Sequence, residues 1–341
     1  MKLVKIDDSS VRKVCEKYSF SISDSATVIV AVRGCLPEQS FSRQAEKAGT
    51  PEKYKLLVPK LVDYRTASCT IGLWLRETRE IALFPGSTVP SLHSIHAFPE
   101  SVKHFNILCP GKYEFVRGIH PRRSKGYERH DALLMAEQGW VVIPKVIHTD
   151  SESLFDFSRT RYHIMYARDN LHASRTEPCD LTQNRFDYRY SSTGCLSIIG
   201  QPQQYVRNKS YPYFWNCWEQ FMQIINYYTS SNERIPLLLF NHSDFDLPEK
   251  YDDGSILRYG SEGAKVLEIQ EKLSQIYTLN NGLYYTFSMD GKFLSATAQA
   301  YLQFIKDYMP DKVAGEANLQ VFNTLTKHFK YQSKNINYVI N

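Results

Sequence analysis

The sequence predicts an α+β chain, with a long β-rich part followed by a small three-helix module. Three observations predict it. First, Ala26-Thr27-Val28-Ile29-Val30-Ala31-Val32 is a β-branched run closed by Arg33-Gly34, the signature of a buried strand and its exit turn. Second, 23 Tyr and 18 Phe stand with 16 Gly and 15 Pro, a balance that favours strands and turns over a helical bundle. Third, the apolar spacing changes beyond residue 258 to a helical stripe, Val266, Ile269, Leu273 and Ile276. A chain of 341 residues suits two domains of unequal size. The boundaries fall at a lead-in over 1–25, a β-rich domain over 26–240, a linker over 241–257, the helical module over 258–330 and a tail over 331–341.

Taken in order, the lead-in holds one short helix near Val11–Tyr18, and residues 36–56 read as a polar surface loop. Further strands are expected at Leu57–Val62, Cys69–Leu75, Glu80–Phe84, Phe105–Cys109, Tyr113–Arg117, Trp140–Val146, Tyr162–Ala167 and Leu237–Phe240. Pro85-Gly86-Ser87-Thr88-Val89-Pro90 breaks the series after Phe84. Ala132–Gln138 reads as a short helix, and Tyr211–Tyr228 as a longer one with Phe214, Trp218, Phe221 and Ile225 on one face. Trp215 and Trp218 read as core. Residues 241–256 are dense in Asn, Asp, Ser, Pro and Gly, but their acidic residues do not follow a calcium-loop spacing. In the last module, Asp290-Gly291-Lys292-Phe293 is a turn. Helices follow, one carrying Tyr301, Phe304 and Tyr308, and one around Leu319, Phe322 and Leu325.

Composition excludes several classes. A hydrophobic fraction of 43% excludes wholesale disorder. The net charge of +5 favours approach to an anionic polymer without naming one, and no motif points to nucleic acid. No stretch reaches the ~18 apolar residues of a membrane span. Met1-Lys2-Leu3-Val4-Lys5-Ile6-Asp7-Asp8 has no apolar run behind its lysines, so a cytoplasmic start without a secretory signal is expected. Seven scattered cysteines without a Cys-x-x-Cys pair argue against a disulfide framework and a zinc knuckle. His93 and His96 form a His-x-x-His pair, but no Glu lies between them and no third ligand is in register, so no metal or other cofactor is expected.

Chemistry concentrates at Tyr190-Ser191-Ser192-Thr193-Gly194-Cys195-Leu196-Ser197 and upstream at Arg168-Asp169-Asn170-Leu171-His172-Ala173. A free thiol is mostly protonated at neutral pH, and an imidazole that meets it in space can take the proton. Gly194 allows a close backbone approach, the amides of Gly194 and Cys195 are candidates for an oxyanion hole, and Ser192 can close the turn. The catalytic candidates are therefore Cys195, His172, Ser192 and Gly194. Alone, Cys195 would be a buried structural thiol; the Gly and Ser before it and the upstream Asn-x-His favour a nucleophile. His120 fits a histidine bonded within the sheet as well as a pocket residue, and Asp169 reads as a cap or a partner of Arg168.

Two resemblances extend this reading. The last module resembles the peptidoglycan-binding domain of wall enzymes through Gly260, Gly263, Val266, Gln270 and Leu273, then Asp290, Gly291, Phe293, Thr297, Ala300 and Phe304; Leu294 and Ile305 depart from its pattern. The β-rich part resembles L,D-transpeptidases at His172, Ser192, Gly194 and Cys195, and departs at Ala173, Thr193 and Ser197. A divergent branch seen in phage and secreted-effector contexts looks closer. Its order is matched by Val32-Arg33-Gly34, Pro110-Gly111-Lys112-Tyr113, Gly118-Ile119-His120, Arg168-Asp169, Asn170-Leu171-His172 and Ser192-Thr193-Gly194-Cys195. The resemblance implies a β-rich L,D-transpeptidase-like catalytic domain followed by a small three-helix peptidoglycan-binding domain. It implies an acyl-enzyme on Cys195 formed with a peptidoglycan stem peptide, with transpeptidation, D-amino-acid exchange or L,D-carboxypeptidase trimming as the outcome. Arg168, Asn170, His120 and Thr193 would line the substrate site. Arg168 or Arg117 would replace the Arg that many members carry at Ser197. Expected partners are peptidoglycan and, in an antibacterial effector, an immunity protein and secretion machinery such as type VI; a phage lysis protein is the other setting. A peptidoglycan endopeptidase on the same scaffold and a non-catalytic wall-binding protein are the alternatives.

Overall fold

The computed structural model describes residues 3–22, 25–41, 49–62, 64–92, 94, 105–120, 130–148, 153–174, 190, 192–202, 217–246, 256–279, 288–324 and 326–327. Ser191, His93, His96, Phe214, Trp215, Asp252, Asp253, Leu325 and the tail over 331–341 lie outside them. The chain opens with β1 (Val4–Asp7) and α1 (Asp8–Lys17). Asp7 and Ser10 form a reciprocal capping box at the start of α1, which explains a helix beginning three residues earlier than expected. Next come β2 (Thr27–Arg33), β3 (Cys35–Pro37), β4 (Tyr54–Pro59), β5 (Cys69–Leu75) and β6 (Glu80–Ser87). The stretch expected as a loop from residue 36 thus carries the end of β3 and a 3-10 turn over Glu38–Phe41. Then follow β7 (Ile107–Leu108), β8 (Gly111–His120), β9 (His130–Met135), β10 (Gly139–His148) and β11 (Ser153–Met165). The helix expected over Ala132–Gln138 is not formed: Ala132 to Met135 are strand, paired in register with Phe115 to Gly118 of β8.

The site strands β12 (Leu171–Ala173) and β13 (Leu196–Ile198) are three residues each. Beyond them lie α2 (Cys217–Tyr228) and β14 (Ile235–Asn241), then β15 (Ile256–Leu257), α3 (Ala264–Leu279), α4 (Ser295–Tyr308) and β16 (Ala317–Asn318). Eight strands close a barrel in the order β12-β13-β6-β5-β2-β14-β8-β9. Two of its pairings, β12–β13 and β2–β14, are parallel. Alternate residues of β2 face two cores. Ile29 and Ala31 join the larger one, whereas Val28, Val30 and Val32 join a second that Val11 and Val14 of α1 cover. Covering both faces explains why β2 reads as one unbroken apolar run. No described helix is long and apolar enough to cross a membrane.

The C-terminal module packs directly on the barrel. Val266, Ile269, Leu273, Phe293 and Phe304 belong to the same apolar cluster as Tyr113 and Trp140. Tyr259 stacks on Tyr113 at 5.1 Å and Phe293 on Trp140 at 6.0 Å. The expected linker is ordered where it is described. Asp244, in a 3-10 turn over His242–Phe245, takes a two-pronged ion pair from Arg258 at 2.7 and 3.1 Å and a hydrogen bond from Tyr18 at 2.6 Å. The guanidinium also lies over the Tyr18 ring. Burial works against the charge, but Arg258 holds the Asp244 carboxyl below its ordinary range. This charge pair joins the first helix, the end of β14 and the start of the module. Removing Asp244 leaves the buried Arg258 with its bond to Glu316 at 3.2 Å as its one carboxylate partner among the described residues. Asp244→Ala is therefore expected to cost about 3 kcal/mol in a denaturant unfolding curve, still as a single transition because the module and the barrel share one apolar cluster.

Candidate active site around Cys195

Strands β12 and β13 run parallel with Leu171 opposite Leu196, His172 opposite Ser197 and Ala173 opposite Ile198. Leu171, Ala173, Leu196 and Ile198 all point into the larger core. Strand alternation then sends His172 and Ser197 to the other face, and Asn170 and Cys195, one step before each strand, with them. The two catalytic candidates, 23 positions apart in the chain, are therefore brought to adjacent strands, His172 within β12 and Cys195 at the entry to β13.

The turn before β13 is fastened as the sequence suggested. Ser192 Oγ donates to the Cys195 carbonyl at 2.6 Å and accepts the Gly194 N–H at 3.0 Å. Ser91 ties the turn to the loop after β6, donating its N–H to the Ser192 carbonyl at 2.9 Å. Gly194 has φ +145°, and a Cβ there would sit 2.3 Å from Asn106 Oδ1. One expectation is corrected: the Gly194 amide is committed to Ser192 Oγ, so it does not point at an oxyanion. Thr193 is exposed at the rim of the turn.

His172 Nδ1 lies 2.7 Å from the Ala173 carbonyl. A carbonyl only accepts, so this nitrogen carries a proton. Three imidazoles pack together here. His120 stacks on His172 with centroids 4.4 Å apart, and the buried His130 lies 5.4 Å from His120 and 5.9 Å from His172. Asn170 holds His120 through Nδ2 at 3.4 Å and accepts the Met135 N–H at 3.3 Å, linking the histidines to β9. His120 and Asn170 thus support the plane of the His172 ring. No group of three or more His, Cys, Asp or Glu side chains among the described residues is arranged to hold a metal ion.

The Cys195 thiol donates to the Arg168 carbonyl at 3.6 Å, not to the His172 ring. Burial, with the neighbouring Asp169, pushes it up to about 12, against the pull of the backbone N–H groups of Asn170 and Cys195. Burial thus keeps the Cys195 thiol protonated near neutral pH, and any chemistry there would need a base to take its proton. Arg168 itself is exposed beside the thiol, with its backbone in the left-handed region at φ 56°. Arg117 is not at the site: its guanidinium holds the end of α2 through the Ile225 and Thr229 carbonyls at 2.8 and 2.6 Å.

Asp169 departs furthest from expectation. Instead of capping or pairing with Arg168, it turns inward beneath Gly194 and is 2% exposed. Its neighbours are Asn106, just before β7, and the buried guanidinium of Arg33 at the end of β2. Asn106 and His130 carried no signal in the sequence, because both reach the site from distant strands. Arg33 was visible only within the Val-Arg-Gly match.

The Gly194 geometry yields a test. Gly194→Ala is expected to lower stability by about 2 kcal/mol or more, from the strained φ and the clash with Asn106, measured as a fall in thermal midpoint. Alkylation of Cys195 should speed up in the same variant as the turn opens. Compared with known proteins, the chain matches no family model, no curated protein and no solved structure, so the reading of the site rests on its own residues.

Proposed function

We propose that this chain is a cysteine enzyme that modifies peptidoglycan stem peptides through an acyl-enzyme on Cys195. One observation carries the chemistry. His172 on β12 lies opposite Ser197 of parallel β13, two residues after Cys195, and the Ala173 carbonyl holds the proton of His172 on Nδ1. The choice of substrate rests on the ordered motif matches to L,D-transpeptidases and on the module that resembles a peptidoglycan-binding domain.

In this reading the thiol swings from the Arg168 carbonyl and gives its proton to His172 Nε2 as Sγ attacks the carbonyl of the third stem residue. The C–N bond to the terminal D-alanine breaks, and the imidazolium returns the proton to the departing amine. The thioester then passes to an acceptor that His172 deprotonates. An amine acceptor gives a crosslink or an exchanged D-residue, and water gives a trimmed stem. Exposed Arg168 is the candidate for the substrate carboxylate, and Thr193 is exposed in the turn before Cys195.

In the module, many of the residues that carry the resemblance are framework. Gln270 Nε2 donates to Asp290 at 3.0 Å and to Thr297 at 2.9 Å, and Gln270 Oε1 accepts the Gly291 N–H at 2.9 Å. These contacts fix the Asp290–Phe293 turn. Wall binding by this module is therefore tested separately, by sedimentation with purified sacculi.

Incubation with purified muropeptides followed by mass spectrometry tests the reaction. Loss of the terminal D-alanine, or its replacement by an added D-amino acid, is expected from the wild type and absent from Cys195→Ala. His172→Gln is expected to lower the rate by about 10²–10⁴-fold. Cys195→Ala with wild-type activity would overturn the assignment. A cut within the crosslink would favour an endopeptidase, and sacculus binding without any product a non-catalytic protein.

A further inference from the structure

Beneath the nucleophile's turn lies a buried polar pair that the acyl-transfer steps do not use. One end of the Asn106 amide lies 2.8 and 2.9 Å from the two carboxyl oxygens of Asp169. Two arrangements satisfy that contact. When Asp169 is ionised, the amide nitrogen faces it and donates to both oxygens. When Asp169 holds a proton, the amide oxygen faces it and accepts, and Nδ2 turns to the Ala167 carbonyl at 3.4 Å. The two states differ by one proton and a half-turn of one side chain.

The pair bears directly on the thiol. A Cβ at Gly194 would sit 2.3 Å from Asn106 Oδ1 and 3.1 Å from Asp169 Oδ1, so the backbone before Cys195 rests on both groups. The charged and titratable groups facing Asp169 are Arg33, from β2, and Cys195 itself. Arg33 donates to Thr88 Oγ1 at 2.9 Å and to the Leu108 carbonyl at 2.9 Å, so it acts on Asp169 as a nearby charge. Burial outweighs Arg33 and the Asn106 hydrogen bond and pushes the carboxyl up to about 8. An ionised Asp169 opposes negative charge on Cys195.

We propose that Asp169 is a positioning residue that carries a proton while Cys195 works, and that loss of this proton, with the half-turn of Asn106, disarms the thiol. The inference rests on Cys195 being the nucleophile. With the proton in place, the carboxyl group holds the turn through Asn106 and adds no charge beside the forming thiolate. With the proton released to solvent, thiolate must form next to a carboxylate. The gain in reactivity that a thiol shows in alkali is then blunted.

Alkylation of Cys195 by iodoacetamide in the full chain, quantified by peptide mass spectrometry from about pH 6 to about pH 10, tests this without any wall substrate. Asp169→Asn keeps the shape of the side chain and cannot ionise. Equal rates are expected below about pH 7, and a rate at least about threefold higher in Asp169→Asn above about pH 9. In the wild type, the logarithm of the rate is expected to bend to a shallower slope near pH 8, and the bend is expected to vanish in Asp169→Asn, or in Asp169→Ser should the first variant not fold, which separates Asp169 from titration of the thiol itself. A wild-type line without a bend, or coincident profiles from two folded proteins, would overturn the proposal. A bend without any muropeptide product would remove the assigned reaction and leave this inference standing. Muropeptide turnover without a bend would remove this inference alone.

Discussion

The parallel pairing of β12 with β13 is the constraint on which the site depends. Each strand is only three residues long, yet together they close the barrel, β12 against β9 and β13 against β6. Their inward residues are core, so their outward residues are committed to one shared face. A slip of one residue in either strand would send its inward apolar residues outward and its polar ones into the core. Barrel closure and the placing of His172 beside the strand that follows Cys195 are therefore one event, and folding cannot achieve the first without the second.

Around this pair the protein places polar groups where a core would ordinarily be apolar. Asn106, Asp169, Arg33, Ser192 and the three histidines come from separate parts of the chain, and several are nearly inaccessible. Such networks are costly unless satisfied, and those described here are tied together: Ser192 by its turn, Asn170 by β9, Asp169 by Asn106. The cost is borne around the turn that holds Cys195. The junction around Asp244 and Arg258 follows the same logic far from the thiol.

The strands with continuous apolar runs, β2, β5 and β14, were legible in the sequence because both faces are covered and no alternation blurs them. The turn at Ser192–Cys195 was legible because Gly and Ser there have few other uses. Ala132 to Met135 was misread because Ala, Leu and Met are strong helix formers in isolation; pairing with β8 and β12 overrides that preference. Strands β12 and β13 escaped notice because three residues carry no period. Asp169 looked like a surface residue beside Arg168, since its real neighbours, Asn106 and Arg33, lie far away in the chain. The module's helices were legible, but its docking was not, because Tyr113 and Trp140, which meet Tyr259 and Phe293, lie far away in the chain.

That docking has a consequence for how the protein would travel. A binding domain on a loose tether raises local concentration and lets a catalytic head sweep a sphere. Here the two parts share one core, clasped by Tyr113 against Tyr259 and Trp140 against Phe293. Whatever the module grips, it grips at a fixed bearing and a fixed distance from Cys195. The molecule is built as a caliper rather than a leash, with the span between module and thiol set by the shared core.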